Sequence, residues 1–174
     1  MIKRCIMIFP QFENVEIIDE VRMKYDTLAN HVRPHITLVF PFDSDIETRQ
    51  LKEHISSVLL GYKPFEVVLN GITPTRSFGK YLFLNIQQGS DKIIELHKLL
   101  YTAILQEHFP EWLKGDIFLP HMTVGNFESE ETFELAINET KNIADTFRTT
   151  VNEITVEIIN EIEDSIIEIR VSLE

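Results

Sequence analysis

The sequence predicts an α+β protein of two similar lobes, each with an antiparallel sheet lining a central groove and its helices packed outside. Three observations carry that expectation. Stretches of two-residue apolar alternation are interleaved with stretches of three-to-four-residue spacing, and the pattern Pro-His-apolar-Thr-apolar occurs once in each half of the chain. No run of Gly, Pro or Ser separates the halves, so residues 1–174 read as a single bilobal domain with both lobes packed as one unit. A chain of 174 residues with 44% hydrophobic content can bury a core of that size.

In order, Lys3 to Phe9 is β-rich and ends at Pro10. Val15, Ile18, Val21, Tyr25 and Leu28 give one helical stripe, which should end near Asn30. A strand beginning at Pro34 and interrupted by Pro41 carries the first copy of the repeat. Ser44 offers an N-cap with Glu47 three residues on, and Leu51, Ile55, Val58 and Leu59 form the buried face of a second helix that Gly61 stops. Phe65, Val67 and Leu69, then Leu82, Leu84 and Ile86, alternate as two strands joined by a loop from Gly71 to Lys80. Asp91 to Phe109 reads as one helix capped by Ser90 and ended by Pro110, with Ile93, Leu96, Leu100, Ala103 and Ile104 inward. Ile117 to Phe127 frames the second copy of the repeat, and Glu130 to Asn142 forms a fourth helix burying Phe133, Ala136 and Ile137. Two alternating rows, Ile154 to Ile158 and Ile167 to Leu173, close the chain as a hairpin turning over Asn160 to Asp164.

Composition narrows the function. With 16 Lys plus Arg against 28 Asp plus Glu, the net charge of −12 denies the chain the broad positive field that holds long nucleic acid. A bound phosphate should be small or held locally. No apolar run approaches the roughly 20 residues that span a bilayer, and the first ten residues are too short an apolar stretch for a secretory signal. Cys5 is the only cysteine, so it reads as a small buried residue of the first strand in a reducing, cytoplasmic setting, not as a nucleophile.

The repeat carries the chemistry. Its copies are Pro34-His35-Ile36-Thr37-Leu38 and Pro120-His121-Met122-Thr123-Val124. On a strand, His35 and Thr37 share one face while Ile36 and Leu38 take the other, and the second copy alternates alike. Facing strands would bring two imidazoles to one small volume. There a neutral histidine can take a proton from an attacking water or hydroxyl, while a protonated one gives a proton to the departing oxygen of a phosphodiester. An unperturbed imidazole pKa near ~6.5 leaves both forms accessible. Each threonine hydroxyl can donate to a non-bridging phosphate oxygen as charge gathers there. The scheme needs no metal, and a zinc site would lack a ligand beyond the two histidines, with no Asp or Glu inside the motifs.

The paired His-x-Thr-x tetrapeptides in a bilobal α+β chain of this size resemble the two-histidine (2H) phosphoesterase superfamily, which includes 2′-5′ RNA ligase-like proteins and cyclic nucleotide phosphodiesterases. The resemblance implies catalytic His35 and His121, phosphate-holding Thr37 and Thr123, and hydrolysis or transfer at a 2′,3′-cyclic or related phosphate without metal, ATP or other cofactor. The expected partner is a small cyclic nucleotide or a short RNA end, bound by a monomer. Ligation, with a ribose hydroxyl replacing water, is the alternative within that class. A groove that binds a nucleotide or RNA end without turnover is the alternative outside it.

Substrate contacts beyond the motifs divide two ways. Arg33 meets a phosphate if the strand begins that early, or stands as an exposed cation beside a loop. Arg76, Phe78 and Lys80 either grip a phosphate and stack on a base or form a plain surface loop. Phe40, Phe42 and Phe127 are read as packing residues, with a place at the groove mouth as the alternative. Glu128 to Glu134 form a solvated face. His54 and His97, within helices, are read as solvated or partly packed, and His31 and His108, near element ends, as exposed.

Overall fold

A computed structural model describes residues 1–115 and 118–174. Among the described residues, eight strands form two antiparallel sheets, each of four. The first holds β1 (Ile2–Ile8), β2 (Ile36–Ser44), β7 (Glu153–Ile159) and β8 (Ser165–Ser172) in the order β2-β1-β7-β8. The second holds β3 (Phe65–Thr75), β4 (Lys80–Gln88), β5 (His121–Phe127) and β6 (Thr146–Val151) in the order β5-β4-β3-β6. The α-helices among the described residues are α1 (Val15–Tyr25), α2 (Thr48–Val58), α3 (Ser90–Leu100) and α4 (Glu130–Thr140). The α+β class and the two helix-covered antiparallel sheets are those the sequence predicts.

The lobes, however, are not the two halves of the chain. The first sheet joins the opening strands to the closing hairpin, whereas β3 to β6 make the second. Helices cross over as well: α1 packs on β5 of the second sheet and α3 packs on β2 of the first. One buried apolar cluster therefore runs through both, from Ile6, Ile36 and Leu38 to Leu84, Met122 and Val124. Each motif strand lies at a sheet edge beside an inner strand, β2 beside β1 and β5 beside β4.

Several element ends differ from the sequence reading, each for a local reason. Strand β2 runs through Pro41 to Ser44 because it is an edge strand, where a proline costs no ladder hydrogen bond on the open side. Ser44 is therefore in a strand, its hydroxyl accepting from Arg4 at 3.3 Å, and Glu47 caps α2 through a capping box with Gln50. Strand β3 continues to Thr75, past a register shift between Leu69 and Ile72 where Gly71 takes φ +78°, so most of the predicted loop is strand. The helix after β1 ends at Tyr25, not near Asn30. That after β4 ends at Leu100, and a separate 3₁₀ segment, Ala103–His108, follows. Gly89, at φ +89°, takes the cap position foreseen for Ser90, which begins the helix. Ile117, the start predicted for the second motif strand, lies outside the described residues. Strand β6 has no counterpart in the prediction: Thr146-Phe147-Arg148-Thr149-Thr150-Val151 is too polar to show an apolar row.

His31, His97 and His108 are less exposed than the sequence implies, and His54 is partly packed, as one of its two readings has it. His97 is buried, its Nδ1–H donating to the Leu38 carbonyl at 2.8 Å and its ring stacked on Phe118 at 3.9 Å. His31 pairs with Asp164 at 2.8 Å, and His108 lies against the Phe42 ring. His54 is half-buried and donates to the Leu100 carbonyl at 3.1 Å. Cys5 is buried with its thiol directed at the Val39 carbonyl, and burial pushes its pKa up.

Candidate active site

The two motifs fold by the same local device. Alternation buries Ile36 and Leu38 on one strand and Met122 and Val124 on the other, leaving His35, Thr37, His121 and Thr123 half-buried on the opposite faces. In each copy the imidazole turns back on the chain before the proline. His35 Nδ1–H donates to the Arg33 carbonyl at 2.9 Å, and His121 Nδ1–H donates to the Leu119 carbonyl at 2.8 Å. A carbonyl can only accept, so Nδ1 carries the proton and each neutral ring keeps Nε2 as an acceptor.

The motif strands meet across the groove, where β2 and β5 lie against each other. A positive charge on His121 disfavours one on His35. Burial is the main cause that holds both imidazoles below their ordinary pKa, while each donated backbone hydrogen bond pulls the other way. Among the described residues, neither Thr37 nor Thr123 makes a side-chain hydrogen bond.

A buried polar brace fixes this approach. Arg22 donates from Nε to Asp26 at 2.8 Å and from Nη2 to the Val32 carbonyl at 2.9 Å, ending α1 and turning the chain toward β2. Asp26 also accepts from the Leu28 N–H at 3.0 Å and from Asn126 Nδ2 at 3.3 Å, while Asn126 Oδ1 accepts from the Thr27 N–H and hydroxyl. Since Asn126 lies on β5, the segment that delivers His35 is tied to the strand that carries His121. Sequence reasoning passes over all three, although Arg22 and Asp26 continue the buried phase of the α1 stripe at four-residue steps from Ile18.

On the His121 side the groove opens into a cavity of about 490 Å³ lined by Phe40, Phe78, Tyr81, Phe83, Trp112 and Thr123 among others. Phe83 stacks on His121 at 3.7 Å, and Trp112 meets Phe40 and Phe78 at 4.8 and 6.0 Å. Tyr81 and Phe83 alternate with Leu82 and Leu84 in the sequence, so an aromatic row on the open face of β4 is the signal that could have found them. Of the aromatics following the motifs, Phe40 lines this cavity, Phe42 is buried and Phe127 packs on Phe133.

The substrate contacts predicted from the central loop separate. Phe78 reaches the aromatic cavity. Arg76 instead pairs with Glu130 at 2.6 Å and Glu134 at 2.5 Å and lies over the Phe133 ring, so the acidic face of α4 is partly engaged. Lys80 donates to the Glu128 carbonyl at 3.0 Å. Arg33 precedes β2, is exposed, and lies over the Phe9 ring at 4.2 Å, while Phe9 meets His35 edge-on at 6.2 Å.

A groove between two sheets, with one backbone-anchored imidazole from each, is the arrangement of a paired-histidine phosphoesterase fold. Residues 9–161 match the model of the 2'-5' RNA ligase superfamily, and the chain belongs to that superfamily. A Bacillus licheniformis protein carrying the provisional name of phosphoesterase is 24% identical over 127 residues, covering 72% of each chain. One from Halalkalibacterium halodurans with the same provisional name is 24% identical over 121 residues, covering 69% of this chain and 67% of its own. Among solved structures, Escherichia coli LigT complexed with ATP, and likewise with 3'-AMP, superposes with a TM-score of 0.59 at 16% identity, over 99% of this chain and 98% of that one. Kluyveromyces marxianus Usb1 gives 0.51 at 9% identity, over 98% and 97%. These structural likenesses describe the fold. Among the described residues, no helix is long and apolar enough to cross a membrane.

Proposed function

We propose that this protein is a metal-independent phosphoesterase that opens a small cyclic phosphodiester, of the 2′,3′-cyclic nucleotide or RNA-end kind, by general acid and base catalysis from His35 and His121. The observation that carries the reading is the matched pair of Nδ1 anchors, which leave one Nε2 from each lobe free for proton transfer. A water adds to phosphorus as one neutral Nε2 takes its proton. The P–O bond to one ribose oxygen breaks, and the other ring, as imidazolium, gives that oxygen its proton, leaving a phosphomonoester. Thr37 and Thr123 donate to the non-bridging oxygens, whose charge grows in the transition state. Low pKa values make two neutral rings the resting state, and an arriving phosphate favours protonation of one of them.

The aromatic cavity beside His121 suits a nucleobase, which stacks on Phe83 or Trp112 whatever its identity. A nucleotide seated in a LigT chain of the same fold supports a ligand of this size. The net charge of −12 favours a small substrate over long nucleic acid. The protein acts as a monomer, both lobes forming one unit, and the single buried thiol suits a reducing cytoplasm.

The superfamily description favours one second reading: a 5′-hydroxyl of RNA replaces water, and the same displacement joins two ends. Incubation with nucleoside 2′,3′-cyclic phosphates in excess chelator tests the proposal. Turnover to the monoester, lost in His35→Ala and His121→Ala, is expected. Binding without turnover by the unmutated protein would make the groove a sensor instead.

A further inference from the structure

Residues 26–34 lead from α1, which packs on β5, to β2 of the first sheet, with no helix or strand of their own. The polar groups of such a backbone must find partners elsewhere. The last three carbonyls before Pro34 each find a different one. That of His31 accepts from the Ser165 N–H on β8 at 3.0 Å, that of Val32 from Arg22 Nη2 at 2.9 Å, and that of Arg33 from His35 Nδ1–H at 2.9 Å. Pro34 adds a locked φ and carries no N–H of its own. The anchor of His35 is thus the last of three consecutive carbonyls with a bonded partner.

Arg22 grips the middle of that series. It is 2% exposed and stands one helical turn before Asp26, the C-cap of α1. A carboxylate at a helix C-terminus opposes the macrodipole, and a buried ion pair regains little more than its own desolvation cost. Stability alone therefore accounts poorly for the pair. Aim accounts for it better: Asp26 accepts from Arg22 Nε at 2.8 Å, which directs Nη2 at the Val32 carbonyl. Asn126 on β5 in turn donates to Asp26 at 3.3 Å and accepts from the Thr27 N–H at 3.3 Å and hydroxyl at 3.1 Å. Burial is the main cause lowering the His35 pKa and the bond to the Arg33 carbonyl raises it; beyond these, the Arg22 charge lowers it and the Asp26 charge raises it, so the two act in opposition. Leu119, whose carbonyl anchors His121, is 68% exposed and takes no part in these contacts.

We infer that Arg22 is a positioning residue for His35: aimed by Asp26 and Asn126, it fixes the Val32 and Arg33 peptide units so that His35 keeps its proton on Nδ1 and offers a bare Nε2. The inference rests on the proposed phosphoesterase reading and deepens it, giving one imidazole a support that the other does not share. Without the grip the Arg33 carbonyl can turn from the ring, and a neutral imidazole then divides its proton between both nitrogens. A ring protonated on Nε2 cannot take a proton from water there.

The test joins kinetics to long-range ¹H–¹⁵N spectra of the histidine rings, taken in the free protein at alkaline pH, where both rings are neutral, and assigned with His35→Ala and His121→Ala. Arg22→Met keeps the apolar stem and removes the guanidinium. It should lower kcat on a 2′,3′-cyclic nucleotide about ten- to hundred-fold with KM little changed, the scale of a misplaced reacting group. Its His35 signals should change from the Nδ1–H form to a mixture of both tautomers while those of His121 stay as they were. Asn126→Ala leaves Arg22 and Asp26 in place and guards against a misfolded Arg22 variant. It should move the His35 signals the same way and lower kcat about three-fold, the worth of one ordinary hydrogen bond. A His35 that keeps its Nδ1–H in the folded variants, or equal changes at both rings, overturns the assignment, because a merely structural brace lowers Tm without choosing between the rings. If the unmutated protein turns over no cyclic phosphate, the phosphoesterase reading fails, and the ring spectra alone decide the positioning role.

Discussion

The two sides of the groove share a device and differ in their surroundings. His35 and His121 each follow a proline and each donate Nδ1–H to the carbonyl two residues back, at nearly equal distances. Around them the likeness ends. His121 has a phenyl face stacked on it and an aromatic cavity beside it, whereas His35 has a phenyl edge, and the two residues before it, Arg33 and Pro34, line a more polar cavity. What repeats is the anchored imidazole with a free Nε2 edge. What differs is the surface nearby, aromatic on one side and more polar on the other.

Removing the shared part should have the largest effect. His35→Ala and His121→Ala should each lower kcat on a 2′,3′-cyclic nucleotide by ~10²- to 10⁴-fold, measured by chromatography of the monoester product. A loss in one variant alone would break the equivalence. Thr37→Val and Thr123→Val keep shape and remove only the hydroxyl, and each should lower kcat by roughly 10²-fold in the same assay. Trp112→Ala, confined to the aromatic side, should raise KM about ten-fold with kcat little changed, since stacking holds ground and transition states alike.

The pH profile sharpens the comparison further. In the free protein both imidazoles titrate below ~6.5 because burial disfavours their charged forms. The catalytic acid must be protonated, so kcat/KM should peak on the acid side of that value and fall as pH rises through the lowered pKa. Phe83→Leu exposes His121 to water and should move its pKa upward, more than Phe9→Leu moves that of His35, as read by NMR titration of the ring protons. The smallest effect concerns stability. Burial also lowers the pKa of His97, so the unfolded chain binds its proton more readily, and that histidine's contribution is full above ~6.5 and lost as pH falls toward the folded value. His97→Gln should flatten the fall of Tm across that range by a few degrees at most.

The two motif strands and their polar faces are legible in the sequence, whereas their setting is largely hidden, for physical reasons. A repeated His-Thr alternation survives as a pattern because a strand's two faces impose it, and the same periodicity exposes the α+β class. The pairing of strands is a different matter. Nothing local in Ile154 to Ile158 announces that it returns to lie beside β1, and this long-range pairing is what makes the lobes differ from the chain halves. Arg22, Asp26 and Asn126 act by meeting across the fold, so none is conspicuous where it stands. Arg76 and Lys80, open to two readings in the sequence, are drawn to carboxylates and a carbonyl that only the folded α4 and its approach supply.

The central claim is that both Nε2 atoms address one phosphorus. ¹⁵N NMR of the histidine rings during titration with 3'-AMP tests it most directly. The account predicts that His35 and His121 Nε2 resonances shift together along one saturation curve, with both Nδ1 protons retained on their carbonyls. A response from one ring while the other stays unmoved through saturation would contradict it.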